Sequence, residues 1–150
     1  GPDADPLRGA LSDFVPVLLQ RHDGDHFRLA VVDLVRHRIA WQSRPRPGLA
    51  TMHVFRGSGD QHFVSIGARL AAISGKTGEI TAAVEIVHEE PRAFCATDGR
   101  LWIHSMKYAR MDSLPWAVLD GRTLKLVGHG NPDYTPRPVT EDFRSWLSTG

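Results

Sequence analysis

The chain is poor in the residues that most often betray a chemistry. Among 150 residues there is one cysteine, Cys95, and one asparagine, Asn131, and lysine numbers three against fifteen arginines. One cysteine excludes an intrachain disulfide and leaves the redox compartment open. Cys95 lies between Phe94 and Ala96, the apolar setting of an inert thiol; a thiolate nucleophile needs electropositive, polar neighbours. Long apolar runs are missing as well. The longest, Phe14 to Leu19, contains Pro16 and falls far short of the roughly 20 residues of a membrane-spanning helix. Charge of one sign is missing too. The formal net charge is +1, without the basic excess of a dedicated nucleic-acid module. Neither a membrane nor nucleic acid is therefore expected as a partner.

What is present is ordinary for a globular chain, with 41% hydrophobic and 23% charged residues. This length suits one domain that buries about 70% of its unfolded surface. Gly1-Pro2 reads as the scar of a cleaved tag, residues 1–10 as a flexible start, and 11–150 as a single domain. The expected location is cytoplasmic unless a signal peptide was lost with the natural start.

The distinctive feature is a threefold echo. Ala30-Val31-Val32-Asp33, Ala71-Ala72-Ile73-Ser74 and Ala117-Val118-Leu119-Asp120 are each followed by a short polar turn and then by Ile39, Ile80 or Leu126. Each copy reads as strand, turn, strand, and recurrence at this spacing marks a repeated supersecondary unit. Val32, Ile73 and Leu119 are then expected at one equivalent, buried position.

The rest of the chain reads as further short strands. Residues 11–20 suit either of two forms. Leu11, Phe14, Val15, Leu18 and Leu19 make a helical stripe capped by Ser12 or Asp13, while Val15 to Gln20 as a strand would give the first echo a partner. Hairpins are expected around 57–60, around Gly75-Lys76-Thr77-Gly78, and around Asp98-Gly99, the dipeptide best suited to a type I′ turn. Three excursions, 43–49, 105–114 and 129–141, are rich in proline or polar residues and read as loops. Glu141 to Leu147 suits a short C-terminal helix capped by Thr140. Many short strands without amphipathic helices between them predict an all-β fold of repeated antiparallel four-stranded units.

The residues Ala117 to Thr123 and Ala72 to Ile80 resemble the inter-strand turn of quinoprotein-type, PQQ-like β-propeller blades, which read apolar-Asp-x-x-Thr-Gly-x-x-x-Trp. The copy from Val32-Asp33 to Trp41 is similar and keeps the tryptophan. Thr-Gly occurs in the middle copy alone, and Trp41 has no counterpart in the other two. The resemblance implies propeller-like blades and brings no cofactor with it. Three blades leave open edges, since propellers close with about 4 to 8. The edges could be met by a second copy in a six-bladed homodimer, by a larger ring, or by closure of the three repeats as a β-trefoil.

No motif carries a reaction. Gly75-Lys76-Thr77 has Leu70 where a phosphate-binding loop needs glycine, and Gly78 follows where a helix should start. No Gly-x-Ser-x-Gly elbow occurs. His53 and His62 flank the 57–60 turn. If Arg56 pairs with Gln61, they fall on one face, the weak nucleus of a metal site or of a His-based hydrolase. Arg36-His37-Arg38 with Arg44 and Arg46 could touch phosphate or an acidic surface, although a solvated charge run explains it as well. Trp41, Trp102, Trp116 and Trp146 suit packing between strands or, if exposed, a sugar platform. The leading expectation is a non-enzymatic interaction module, without cofactor or metal, that presents loops to a protein partner. Arg44, Arg46, Lys107, Tyr108, Arg110 and Tyr134 are the excursion residues best suited to contact. A small metal-dependent or His-based hydrolase and a carbohydrate-binding module are the alternatives.

Overall fold

The computed structural model describes residues 12–20, 26–47, 52–57, 60–66, 69–86, 93–104, 117–128 and 136–139. Among these every regular element is a strand: β1 (Phe14–Gln20), β2 (His26–Asp33), β3 (Arg38–Gln42), β4 (Arg46–Pro47), β5 (Met52–Arg56), β6 (Gln61–Ile66), β7 (Arg69–Ser74), β8 (Ile80–Ile86), β9 (Ala93–Thr97), β10 (Arg100–His104), β11 (Ala117–Asp120), β12 (Leu126–Gly128) and β13 (Pro136–Pro138). They form three antiparallel sheets, none closed into a barrel. The first holds β1-β2-β3, with β4 also on β2. The second runs β13-β8-β7-β6-β5, and the third β12-β11-β10-β9. No helix among the described residues is long and apolar enough to cross a membrane.

Residues 11–20 resolve in favour of the strand. Pro16 is tolerated because β1 pairs on one side alone among the described strands, with β2. Two expected loops contain short strands. Arg46 and Pro47 pair with Phe27 and His26, and Pro136 to Pro138 pair with Val84 to Ile86. Both are edge strands, where a missing N–H is harmless if it points away from the ladder. In Pro-Arg-Pro the two prolines share one orientation and leave Arg137 the other. The expected helix at 141–147 lies outside the described residues.

The three echoes become three hairpins of one geometry. Val32 pairs with Ile39, Ile73 with Ile80 and Leu119 with Leu126, and in each ladder the register shifts immediately before that pair. The strand before each hairpin keeps step as well. Phe14 lies opposite Asp33, Gln61 opposite Ser74 and Arg100 opposite Asp120. The turns repeat in detail. Asp33 Oδ1 accepts from the amides of Val35 and Arg36, Ser74 Oγ from Lys76 and Thr77, and Asp120 Oδ1 from Arg122 and Thr123. A short side-chain acceptor at this position closes the turn on itself, which is why all three copies carry Asp or Ser there.

The fifth turn residue has positive φ in every copy: 54° at His37, 74° at Gly78 and 57° at Leu124. Glycine adopts this conformation freely, whereas other L-residues are strained by about 1–2 kcal/mol. His37 is exposed, so its strain has no packing to offset it. His37→Gly is expected to stabilise the fold by about 0.5 kcal/mol, the relief being reduced by the greater freedom of glycine in the unfolded chain. Urea unfolding of the two proteins checks this. Asp98-Gly99 forms the expected two-residue turn, with Thr97 opposite Arg100 and φ of 53° and 72°.

The second sheet is packed on both faces, so its strands are apolar without alternation. Val64, Ile66, Ala71 and Ile73 meet Phe27, Leu29 and Val31 of the first sheet. Phe63, Leu70, Ala72 and Val84 meet Leu101, Ile103, Ala117, Leu119 and Leu124 of the third. Bonds at the turn end lock the stack. The Phe14 amide donates to Gly75 O (3.0 Å), and Trp41 Nε1 donates to Gly78 O (3.0 Å), so the first sheet is tied to the second at its turn.

Candidate functional site

The three equivalent turns lie at the ends of the strands where β1, β6 and β10 begin, because each turn is bonded to the residue preceding one of these strands. Leu34 donates to Asp13 O, Gly75 to Asp60 O and Gly121 to Gly99 O. Between the second and third turns lies an open cleft of about 610 Å³ lined by Asp60, Gln61, Ser74, Lys76, Thr81, Arg122 and Thr123. Lys76 and Arg122 are the third residues of their turns, so the shared geometry brings one cation from each sheet to the same cleft.

The hydroxyls there serve the scaffold. Thr81 Oγ1 donates to Ala72 O, and Thr123 Oγ1 donates to Asp120 Oδ1 while accepting from the Lys125 amide. Lys76 Nζ lies 3.6 Å from Asp60 Oδ2, and both side chains are solvent-exposed, a contact worth at most about 1 kcal/mol and easily exchanged. Among the described residues no ion pair holds the Arg122 guanidinium. It helps keep the Asp120 carboxyl below its ordinary range, after the larger effect of the Thr123 and Arg122 amides. The cleft therefore offers a visitor the Arg122 guanidinium, the Lys76 ammonium beside the Asp60 carboxylate, and the Gln61 amide.

The first turn is different. Asp33 is 1% exposed and binds Arg36 Nη1 at 3.1 Å, with Arg38 Nε at 4.0 Å. The Arg36 amide, opposed by burial and helped by the Arg36 side chain, holds the Asp33 carboxyl low. Part of the Arg36-His37-Arg38 run is thus consumed inside its own turn.

The register of the β5–β6 hairpin separates the two candidate histidines. Gly57 N bonds Gln61 O, and Arg56 pairs with His62 rather than with Gln61. This one-residue difference moves His53 opposite Ser65 and puts the two rings on opposite faces of the sheet. His53 is exposed. His62 is buried against the first sheet, its Nε2 without a hydrogen-bond partner among the described residues. Among the described residues no three His, Cys, Asp or Glu side chains converge as a metal site.

Burial, reinforced by the Arg56 charge and opposed by a hydrogen bond to the Phe14 backbone, lowers the His62 pKa from its ordinary 6.5. The folded protein therefore holds this ring neutral where the unfolded chain protonates it. Stability from this group is complete above 6.5 and falls as pH drops below it. His62→Phe is expected to flatten that part of the stability profile between neutral and mildly acidic pH, which denaturant midpoints across the range measure.

Of the excursion residues, Arg44 is exposed beside Ser43, whose hydroxyl donates to its carbonyl, and Arg46 begins β4. Lys107, Tyr108, Arg110 and Tyr134 lie outside the described residues, as do Trp116 and Trp146. Trp41 ties two sheets together and is half-buried. Sequence reading passed over Lys76 and Arg122. The available signal was their identical position within the echoed turns. No protein-family model matches the chain, and no curated protein is significantly similar to it.

Proposed function

We propose that the protein is a binding module on a propeller-like stack of blades, and that the cleft between the second and third turns takes an acidic segment of a partner protein. The observation that carries this reading is the convergence of Lys76 and Arg122 at one open cleft. Each cation stands on a turn closed by its own Asp or Ser, so little backbone ordering is required when a carboxylate binds. Arginine favours the planar, bidentate contact a carboxylate provides. Recognition on turns held by a rigid β scaffold is a common arrangement. Arg44 and Arg46 stand at the other end of the first sheet, where β4 meets the start of β2, and are not part of this cleft.

The test is a fluorescence-anisotropy comparison of acidic, neutral and basic peptides of equal length. Acidic peptides are expected to bind best. Lys76→Ala/Arg122→Ala is expected to weaken them about tenfold, equivalent to about 1.4 kcal/mol, with an unchanged melting temperature because both side chains are exposed. Equal binding of all three peptide classes, or affinity that survives the double substitution, would contradict the proposal.

A further inference from the structure

The first of the three equivalent turns differs from the others at its tip. The second and third residues of the later turns are Gly75-Lys76 and Gly121-Arg122, whereas those of the first are Leu34-Val35. Turn tips ordinarily carry polar residues or glycine. Leu34 is 43% and Val35 64% exposed, and Val35 is the most exposed large apolar side chain among the described residues. The backbone fixes both in place. The Leu34 amide donates to Asp13 O (2.8 Å) and the Val35 amide to Asp33 Oδ1 (3.0 Å), so the turn holds its two apolar side chains in water.

The cations of the cleft stand at the same end of the stack. The Phe14 amide on Gly75 O and Trp41 Nε1 on Gly78 O hold the first sheet against the second turn. Lys76 of that turn shares a cleft with Arg122 of the third. Val35, Lys76 and Arg122 therefore occupy one position of the repeat on three successive sheets, in the order apolar, cationic, cationic. Stacked sheets lie about 10 Å apart, and an extended chain covers that distance in about three residues. Arg36 and Arg38 are tied to Asp33, so what the first turn adds to this surface is its apolar tip.

We propose that Leu34 and Val35 receive an apolar side chain of the same partner segment whose acidic residues enter the cleft, so that the segment is recognised by the pattern acid-x-x-acid-x-x-apolar. This inference rests on the acidic-segment reading above and adds its specificity. Arg122 and Lys76 meet the two carboxylates, and the apolar residue, about three positions beyond the carboxylate on Lys76, covers the exposed tip. Covering apolar surface is favourable in proportion to its area, and a tip already fixed by its backbone needs little ordering. A protein segment suits this end better than a bilayer. A membrane surface takes up a broad apolar face, whereas the second and third turns present Lys76-Thr77 and Arg122-Thr123.

The experiment compares two peptides of equal length and charge by fluorescence anisotropy. Both carry two acidic residues three positions apart; three positions further on, one has leucine and the other serine. The leucine peptide is expected to bind the intact chain about fivefold more tightly, as partial burial of a leucine allows. In amide-resolved NMR the leucine peptide alone is expected to shift Leu34 and Val35. Leu34→Ser/Val35→Ser is expected to bring the two peptides to equal affinity. Both side chains are exposed, so an unchanged melting temperature should show this variant folded. Equal affinity of the two peptides for the intact chain, or a leucine advantage that survives the double substitution, would overturn this inference and leave the cleft reading standing. Failure of the intact chain to bind either peptide would overturn both. Binding to phosphatidylglycerol–phosphatidylcholine vesicles that is lost in Leu34→Ser/Val35→Ser would overturn it in favour of a membrane surface.

Discussion

Ile73→Ala and Leu119→Ala are each expected to destabilise the fold by about 3 kcal/mol, and Val32→Ala by about 1 kcal/mol. All three residues occupy one position in the repeat, immediately after the register shift. Ile73 and Leu119 are fully buried because a preceding sheet covers them, whereas Val32, on the first sheet, is half-buried. The expectation of three equally buried residues is thereby corrected at Val32. Alanine at a covered position removes transfer energy and leaves a cavity between two rigid sheets that cannot collapse easily. At Val32 the loss is smaller, and solvent fills the space. Urea unfolding of dilute protein, where any association is suppressed, gives the three values directly. Equal losses at all three positions would contradict the proposed order of the sheets.

Gly75→Ala is expected to cost about 3 kcal/mol, more than any other alanine substitution at a described glycine. A Cβ there would collide with the carbonyl of Asp60 and with Ser12. The Asp60 contact is backbone, and Ser12 is met at its Cβ as well as its Oγ, so rotating the hydroxyl does not relieve the collision. The same residue donates to Asp60 O and accepts from the Phe14 amide, so the backbone shift that relieves the collision also strains the tie between the first and second sheets. Overpacking alone costs about 1–3 kcal/mol, and each disturbed hydrogen bond adds about 1. Two controls bracket the effect. Gly99→Ala meets no atom within 4 Å but keeps a φ of +72°, for about 1 kcal/mol. Gly128→Ala meets nothing within 4 Å and has no positive φ, and should be close to neutral. Thermal denaturation of the three variants ranks them.

The hairpins were legible in the sequence because turn chemistry is local. Asp98-Gly99 requires two positive φ values and obtains them. Asp33, Ser74 and Asp120 recur because each closes its own turn by accepting two amides. What failed was non-local or balanced on a single residue. The β5–β6 register hinged on whether the loop closes at Gly57 and Gln61, and that choice alone moved His53 to the opposite face from His62. The β4 and β13 edges were hidden because proline argues against a strand unless one side of the strand is free. Phe14 to Gln20 could not be assigned from periodicity, since seven mostly apolar residues suit either form, and pairing with Phe27 to Asp33 decided it. The cleft was illegible for another reason. Lys76 and Arg122 are 46 residues apart and meet at one cleft because their sheets stack.

The most direct test of binding at the two-turn cleft is an amide-resolved NMR titration of the whole chain with an acidic peptide. The expected result is saturable shift changes concentrated at Gln61, Lys76, Thr81, Arg122 and Thr123, with the Asp33–Arg38 turn unmoved because its arginines are tied to Asp33. Shifts centred on another surface, or none at saturating peptide, would contradict it.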